Sequence, residues 1–221
     1  MSTVSESYFS IKKNIHENVN LIAVSKTKPA DLIKEVYNLG QRDFGENKVQ
    51  ELLEKSEVLA ELDQINWHFI GHLQSNKINQ LLSVHNLKFI HSIDRMDLLD
   101  KLLSKTPKNK IGLFIQVNTS FEDEKGGFTE LNQINLAISK INSHDLFYFV
   151  GLMTIGKIRT DDFEKDARAC FLRLNQLKQL IEDELKLKVE LSMGMSSDYL
   201  IAQQMGSNWL RVGSSIFGNR S

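Results

Sequence analysis

Two lysines flank a threonine at the end of an apolar segment that is typical of a buried strand. The segment from Leu21 to Pro29 reads LIAVSKTKP, which places Lys26 and Lys28 just beyond the strand. A lysine amine at such a position could pair with an anion or attack a carbonyl carbon. Lys26 shares strand parity with Ile22, but parity does not exclude Lys28 as the reactive residue.

Two loops near the C-terminus are typical of phosphate-binding backbone. Residues 191–199 read LSMGMSSDY and residues 210–218 read LRVGSSIFG. Glycine would let the backbone approach an anion, and the serine hydroxyls would add donors. After the last two strands of a barrel, such loops often hold phosphate. A lysine and a phosphate site on one rim together favour pyridoxal phosphate, which carries both an aldehyde and a phosphate.

Repeated strand and helix units must position these groups. Short runs rich in Val, Ile and Phe alternate with segments of helical period. Eight strands are predicted, at Asn20–Val24, Arg42–Phe44, Asn66–Ile70, Lys88–Ile90, Ile111–Val117, Phe147–Gly151, Val189–Leu191 and Trp209–Val212. Helices are predicted near 3–16, 30–39, 46–60, 75–84, 95–105, 128–141, 161–185 and 196–205.

This alternation favours an α/β fold, a single-domain (β/α)8 TIM barrel over residues 1–221 with an extra N-terminal helix. A doubly wound open sheet is the competing architecture. In both, ligands collect at the carboxyl ends of the strands. Polar segments follow the next five predicted strands, and they read FGENK, FIGHLQSNK, FIHSIDR, QVNTS and GLMTIG. The strand ends therefore predict one shared rim.

The helix near 161 has the clearest start and buried face. Asp161 and Glu164 have capping-box spacing. A stripe of period three and four places the single cysteine in the core, and its members are Phe163, Ala167, Cys170, Leu174 and Leu177. One cysteine excludes an internal disulfide framework and fits a reducing compartment.

Composition argues against several classes of partner. The chain has 27 Lys and Arg against 28 Asp and Glu, a net charge of -1, so no global field attracts nucleic acid or an acidic membrane. No segment approaches the roughly 18 apolar residues of a membrane span. No histidine or carboxylate spacing predicts a metal site, and His91 is expected to be a satisfied buried polar residue. We expect a cytoplasmic protein and a monomer.

The motifs together resemble a known family. AVSKTKP, FGENKVQE, WHFIGHLQSNK, HSID, GLMTIG, LSMGMSSD and RVGSSIFG occur in one order over nearly the whole chain. In this the sequence is similar to the YggS/PROSC-type pyridoxal phosphate homeostasis proteins. The resemblance implies a barrel like the N-terminal half of alanine racemase, of the fold type III class, with pyridoxal 5'-phosphate held by a lysine Schiff base.

The resemblance also implies the site residues. The first lysine of SKTKP, Lys26, would form the Schiff base, and Arg211 would face the pyridine nitrogen. Ser196, Gly213 and Ser214 would contact the phosphate, and Asn47 would lie beside the cofactor.

Three functions follow from these expectations. A guanidinium facing the ring would keep its nitrogen unprotonated and the cofactor a poor electron sink. A racemase also needs a second base, which alanine racemase takes from an additional domain and for which no tyrosine here is an evident replacement. The favoured function is storage, buffering or delivery of the cofactor, with pyridoxal-phosphate-dependent apoenzymes as possible recipients. The alternatives are an amino-acid racemase and a sugar-phosphate barrel enzyme.

Overall fold

Eight parallel strands close into a barrel in the computed structural model, which describes residues 3–122, 124–157 and 160–218. The strands are β1 Asn20–Val24, β2 Asp43–Glu46, β3 Asn66–Phe69, β4 Leu87–Ile93, β5 Ile111–Gln116, β6 Phe147–Met153, β7 Glu190–Ser192 and β8 Trp209–Val212. Each strand pairs with the next along the chain, and β1 pairs with β8. This closure confirms the barrel over the open sheet.

Helices cover the outside of the barrel. They are α1 Val4–Lys13, α2 Ala30–Asn38, α3 Val49–Val58, α4 Ile78–Leu82, α5 Met96–Leu103, α6 Leu131–Asn142, α7 Phe163–Leu185, α8 Tyr199–Gln204 and α9 Ser214–Phe217, with a 3-10 turn at Ser75–Lys77. The extra N-terminal helix is confirmed as α1, whose Thr3 and Glu6 form a capping box. The short α9 was not predicted, because two serines after a glycine are equally typical of a turn. No helix in the described ranges is long and apolar enough to cross a membrane.

The strand β2 runs further than the sequence predicts. Gly45 pairs with Val24 of β1 and with His68 of β3, and Glu46 pairs with Phe69. Glu46 therefore lies in the sheet, fully buried, and α3 begins only at Val49. Glutamate has a high helix propensity, but the pairing of β2 with both neighbouring strands overrides that preference here.

The apolar core has two layers. A small cluster fills the barrel interior, and its buried members are Ile22, Val24, Phe114, Met153 and Trp209. The larger cluster lies between the strands and the surrounding helices. The alternation along β1 explains the two layers, because Ile22 and Val24 point inward while Leu21 and Ala23 face the helices.

Helix α7 confirms most of its predicted stripe and corrects its start. Cys170 is buried between the strands and helices, as expected. The N-cap is Asp162, whose side chain accepts a hydrogen bond from the Lys165 amide, so the prediction of Asp161 as the cap is wrong by one residue. Phe163 is 41% exposed and lies outside the buried stripe, and its neighbours in the first turn of the helix are exposed as well.

Candidate functional site

One cavity of about 840 Å³ opens at the carboxyl ends of the strands. It brings together all six residues that the sequence predicted for the site, Lys26, Asn47, Ser196, Arg211, Gly213 and Ser214. They come from the ends of β1, β2, β7 and β8, which meet because β8 closes the barrel onto β1. The volume is in the range of small-molecule sites. The prediction of a shared rim is confirmed.

The Lys26 amine has no partner within the part of the chain that the structure describes. Lys28 also lines the cavity. Both side chains are partly exposed. Position in the cavity alone therefore does not separate the two lysines, but Lys26 offers an amine that no carboxylate or carbonyl occupies.

A buried ionic network supports the turn that carries both lysines. Thr27 adopts the left-handed backbone conformation, with φ of 64°, and its amide donates to the Glu51 carboxylate. The Lys55 ammonium donates to that carboxylate, to the Ser25 carbonyl and to Glu46, each within 2.8 Å. The network ties the turn between β1 and α2 to α3 and the end of β2.

Glu46 is the most deeply buried member of this network. Its Oε1 accepts from the Ser25 hydroxyl and from Lys55, and its Oε2 has no hydrogen-bond partner among the residues that the structure describes. Burial raises the pKa of the Glu46 carboxyl, and the nearby Lys55 ammonium opposes that shift. Sequence reasoning missed this pair. In the sequence the two residues are nine positions apart, a spacing that does not indicate a contact. They meet only because the fold packs α3 over β2.

The two predicted phosphate loops contact each other directly. The Ser196 hydroxyl accepts from the Gly213 amide at 3.1 Å and from the Ser215 amide at 3.4 Å. Ser214, at the start of α9, is exposed to the cavity. A Cβ at Gly213 would lie 2.9 Å from the Val24 carbonyl oxygen, so packing of β8 against β1 already requires this glycine. The loops thus bring the Ser196 and Ser214 hydroxyls and the backbone of Gly213 to one wall of the cavity.

Arg211 projects from β8 into the floor of the cavity and is almost completely buried. Its Nη1 donates to the Ser192 hydroxyl at 2.7 Å and its Nη2 to the Thr154 carbonyl at 2.8 Å. Burial lowers the pKa of Arg211 to about 10, and the Asp198 carboxylate opposes that shift. The guanidinium therefore stays charged at neutral pH and can only donate.

A histidine and a carboxylate lie on the side of the rim formed by β3 and β4. His72 Nδ1 lies 3.1 Å from Asp94 Oδ2, and the His72 side chain is 65% exposed. His72 lines the main cavity, and both residues line a neighbouring cavity of about 280 Å³. The sequence reasoning considered His72 only as a metal ligand and did not find this pair.

The loop after β5 is attached to the same rim. Lys125 pairs with Glu122 and donates to the Gly156 carbonyl, and the Asn118 amide donates to carbonyls at both ends of the loop. These contacts attach the described part of this loop to the rim, and Asp123 lies outside the described residues. The sequence motif gave no sign of the lysine's contact with β6, which is distant in the chain.

Metal ligands are not clustered anywhere in residues 3–122, 124–157 and 160–218. No group of three or more His, Cys, Asp or Glu side chains could hold an ion there. His91 does not line the cavity. It is fully buried and hydrogen bonded to His68 and Ser192. The expectation of a satisfied buried histidine is confirmed.

The donor set fits pyridoxal phosphate. A free amine could meet an aldehyde, a charged guanidinium could meet a ring nitrogen, and the Ser196 to Ser215 loop pair offers donors for a phosphate. These three features lie in one cavity of sufficient volume.

Known proteins share this architecture and sequence. Residues 3–221 match the family described as "Alanine racemase, N-terminal domain". The "Pyridoxal phosphate homeostasis protein" of Schizosaccharomyces pombe is 40% identical over 227 residues, which cover 100% of this chain and 94% of that protein. The structure of PipY from Synechococcus elongatus PCC7942 with PLP bound has a TM-score of 0.86 at 32% identity and covers 98% of this chain and 100% of PipY.

Alanine racemase itself is a more distant neighbour. The enzyme from E. faecalis has a TM-score of 0.75 at 17% identity, with 98% of this chain and 57% of the racemase covered. That likeness concerns the fold alone. The chain belongs to the alanine racemase N-terminal domain family and, within it, to the pyridoxal phosphate homeostasis proteins.

Proposed function

We propose that this protein binds pyridoxal 5'-phosphate in the rim cavity and stores, buffers or delivers it. The observation that carries the proposal is a Lys26 amine without a partner among the described residues, in the same cavity as Arg211 and the Ser196 to Gly213 loop contact. The names of the relatives and the PLP-bound PipY structure support the same ligand.

Each site residue has a role under this proposal. The Lys26 amine forms the covalent link, and Asn47, whose side-chain amide has no hydrogen bond among the described residues, lies beside the ligand. Ser196, Gly213 and Ser214 hold the phosphate through hydroxyl and backbone donors. When bound, the cofactor supplies an electrophilic aldehyde carbon and an aromatic ring that can accept electrons.

Arg211 argues against robust catalysis. A guanidinium that stays charged and can only donate leaves the ring nitrogen unprotonated, which weakens the ring as an electron acceptor. Its two hydrogen bonds to Ser192 and Thr154 hold it in that role. We infer that retention of the ligand, and not its chemistry, is the principal property of the site.

One observation favours amino-acid racemisation as a second candidate function. Racemisation needs a base on each face of the substrate carbon. Lys26 is one such base, and His72, which follows β3 on the same rim and lies beside Asp94, could be the second. The Lys26 amine and the His72 ring would then exchange the substrate proton with solvent on opposite faces.

The remaining expectations from the sequence stay predictions. They are a single domain over residues 1–221, a monomer, a cytoplasmic location, transfer to dependent apoenzymes, and no nucleic-acid or membrane partner. The near-balanced charge supports the last of these.

Transfer of ligand tests the proposed function. The loaded protein is mixed with an apoenzyme that becomes active only when it acquires pyridoxal phosphate, and the rate of activation is followed at several protein concentrations. Storage predicts slow activation that is limited by release from the loaded protein, while Lys26→Ala releases its ligand much faster. Activation at the rate of free cofactor with wild-type protein would contradict storage.

A further inference from the structure

A chain of hydrogen bonds crosses the barrel interior and ends on Arg211. Asp43 Oδ1 lies 3.0 Å from His68 Nε2, and His68 Nδ1 lies 3.0 Å from His91 Nε2. His91 Nδ1 lies 2.9 Å from the Ser192 hydroxyl, which accepts from Arg211 Nη1. The five residues come from β2, β3, β4, β7 and β8, so the chain joins opposite walls of the barrel.

Apolar surroundings isolate this chain from water. His68, His91 and Ser192 are completely buried, whereas the Asp43 side chain is 24% exposed at the amino end of β2. The His91 ring stacks on Phe114 with centroids 4.2 Å apart. The His68 ring stacks on Phe89 at 4.8 Å. The stacking fixes the ring planes, so each imidazole nitrogen keeps one partner.

The Asp43 end of the chain sets the direction of the hydrogen bonds. A carboxylate at Asp43 can only accept, so His68 Nε2 carries a proton and, in a neutral ring, Nδ1 does not. His91 Nε2 must then donate, which leaves its Nδ1 to accept from the Ser192 hydroxyl. At the other end Arg211 can only donate, and the Ser192 oxygen can accept from it while its own proton goes to His91. The Arg211 end is therefore compatible with the order that the Asp43 end sets.

The charge state of His91 agrees with this order. Burial, followed by the electrostatic effect of the neighbouring His68 ring and of Arg211, holds its pKa well below the usual value for histidine. The ring is therefore neutral at physiological pH and has one donor and one acceptor.

We propose that His68, His91 and Ser192 are positioning residues that form a directional relay from Asp43 and fix the Arg211 guanidinium in the cavity. This inference rests on the proposed function for its effect on pyridoxal phosphate, because Arg211 would meet the ring nitrogen. The relay itself belongs to the ligand-free protein and can be measured there.

Nitrogen NMR of the imidazole rings tests the direction. In the ligand-free protein near pH 7.5, His68 and His91 are both expected to be protonated at Nε2 and bare at Nδ1, with assignments from single-histidine variants. A bare Nε2 on either ring, or a doubly protonated His91, would overturn the relay.

The NMR signals of the Arg211 guanidinium test whether the relay holds that side chain in place. A held guanidinium rotates slowly and gives separate Nη signals, and Ser192→Ala and His91→Phe are expected to merge them. Ser207→Ala is the matched control, because Ser207 is a buried serine that donates to the Met193 carbonyl and does not contact Arg211. Separate Nη signals in both relay variants would overturn the positioning role.

Ligand binding completes the test. We expect Ser192→Ala to bind pyridoxal phosphate about threefold to tenfold more weakly than wild type, the loss of one hydrogen bond, and Ser207→Ala to match wild type. Equal affinities for Ser192→Ala and wild type would contradict an effect on the ligand. If the wild-type protein does not bind pyridoxal phosphate, the proposed function is wrong. The histidine tautomers and the Arg211 Nη signals of the ligand-free protein would still test the relay.

Discussion

The Lys55 ammonium lies 2.7 Å from the Glu46 carboxylate, and this buried pair lies beneath the turn that presents Lys26. Lys55 also donates a hydrogen bond to the Glu51 carboxylate, which accepts a second hydrogen bond from the Thr27 amide. Stability and site geometry are therefore coupled at this turn. A substitution in the pair should therefore change both the free energy of unfolding and the position of the cavity lysines.

Lys55→Met should destabilise the fold by about 3–5 kcal/mol, because it leaves Glu46 buried and unpaired. The folded pKa of Glu46 is already raised, and removal of the opposing ammonium raises it further. Such a group contributes stability that is present below its unfolded pKa and lost as pH rises through its folded pKa. The variant should therefore lose more stability than wild type between pH 4 and pH 7, roughly, in denaturant unfolding.

Two control variants test whether the loss of stability comes from the buried Lys55–Glu46 pair. Glu46→Gln combined with Lys55→Met removes the uncompensated charge and should recover part of the loss. Lys34→Met breaks the exposed pair with Glu61 and should change the stability much less than Lys55→Met does. A Lys55→Met protein with unchanged stability at every pH would contradict a buried ion pair.

Acid should destabilise the protein partly through His91. Its folded pKa is lower than the usual 6.5, so its contribution is present above pH 6.5 and is lost as pH falls towards the folded pKa. Each proton contributes a slope of up to about 1.4 kcal/mol per pH unit. His91→Phe should reduce the slope of unfolding free energy between about pH 6.5 and 5.5, where His68 and Arg211 are the neighbouring titratable groups.

The exposed His85 provides the comparison for that measurement. We expect His85→Gln to keep the wild-type slope. A His91→Phe slope equal to that of wild type would show that His91 takes up its proton in the folded state as readily as in the unfolded state.

The phosphate loops should discriminate between phosphorylated and unphosphorylated ligands. The double change Ser196→Ala and Ser214→Ala removes hydroxyls from one wall of the cavity. We expect affinity for pyridoxal phosphate to fall about 10- to 100-fold, because hydrogen bonds to charged groups contribute about 1.5–3 kcal/mol. Affinity for pyridoxal should change little, as measured by absorbance titration, and equal losses for both ligands would place the phosphate elsewhere.

The sequence predicted the barrel and its shared rim because both depend on local patterns, whereas the roles of the individual site residues came from the family resemblance. Strand alternation placed Ile22 inside the barrel, and parallel closure then brought Lys26 and Arg211 to one cavity. Contacts between distant segments were not predictable in this way. The Lys55 pair depends on how α3 lies over β2, and the Lys125 contact with Gly156 depends on a loop that folds back across the rim.

Hydrogen exchange at the substrate carbon separates storage from racemisation. With saturating pyridoxal phosphate, deuterium incorporation into L- and D-alanine should be little faster than with free cofactor, because under the proposed function Arg211 would leave the ring a weak electron acceptor. NMR in deuterated water measures the rate. Inversion at about 1 per second or faster would support racemisation, and its loss in His72→Gln would then identify the second base.

Mass mapping after borohydride reduction tests the central claim most directly, namely that the free Lys26 amine holds pyridoxal phosphate in the rim cavity. Wild type and Lys28→Ala should each carry one reduced pyridoxyl group on the peptide that contains Lys26. Lys26→Ala should keep its fold by circular dichroism and carry none. A single label that remains in Lys26→Ala and disappears in Lys28→Ala, or no label on any of the three proteins, would contradict the claim.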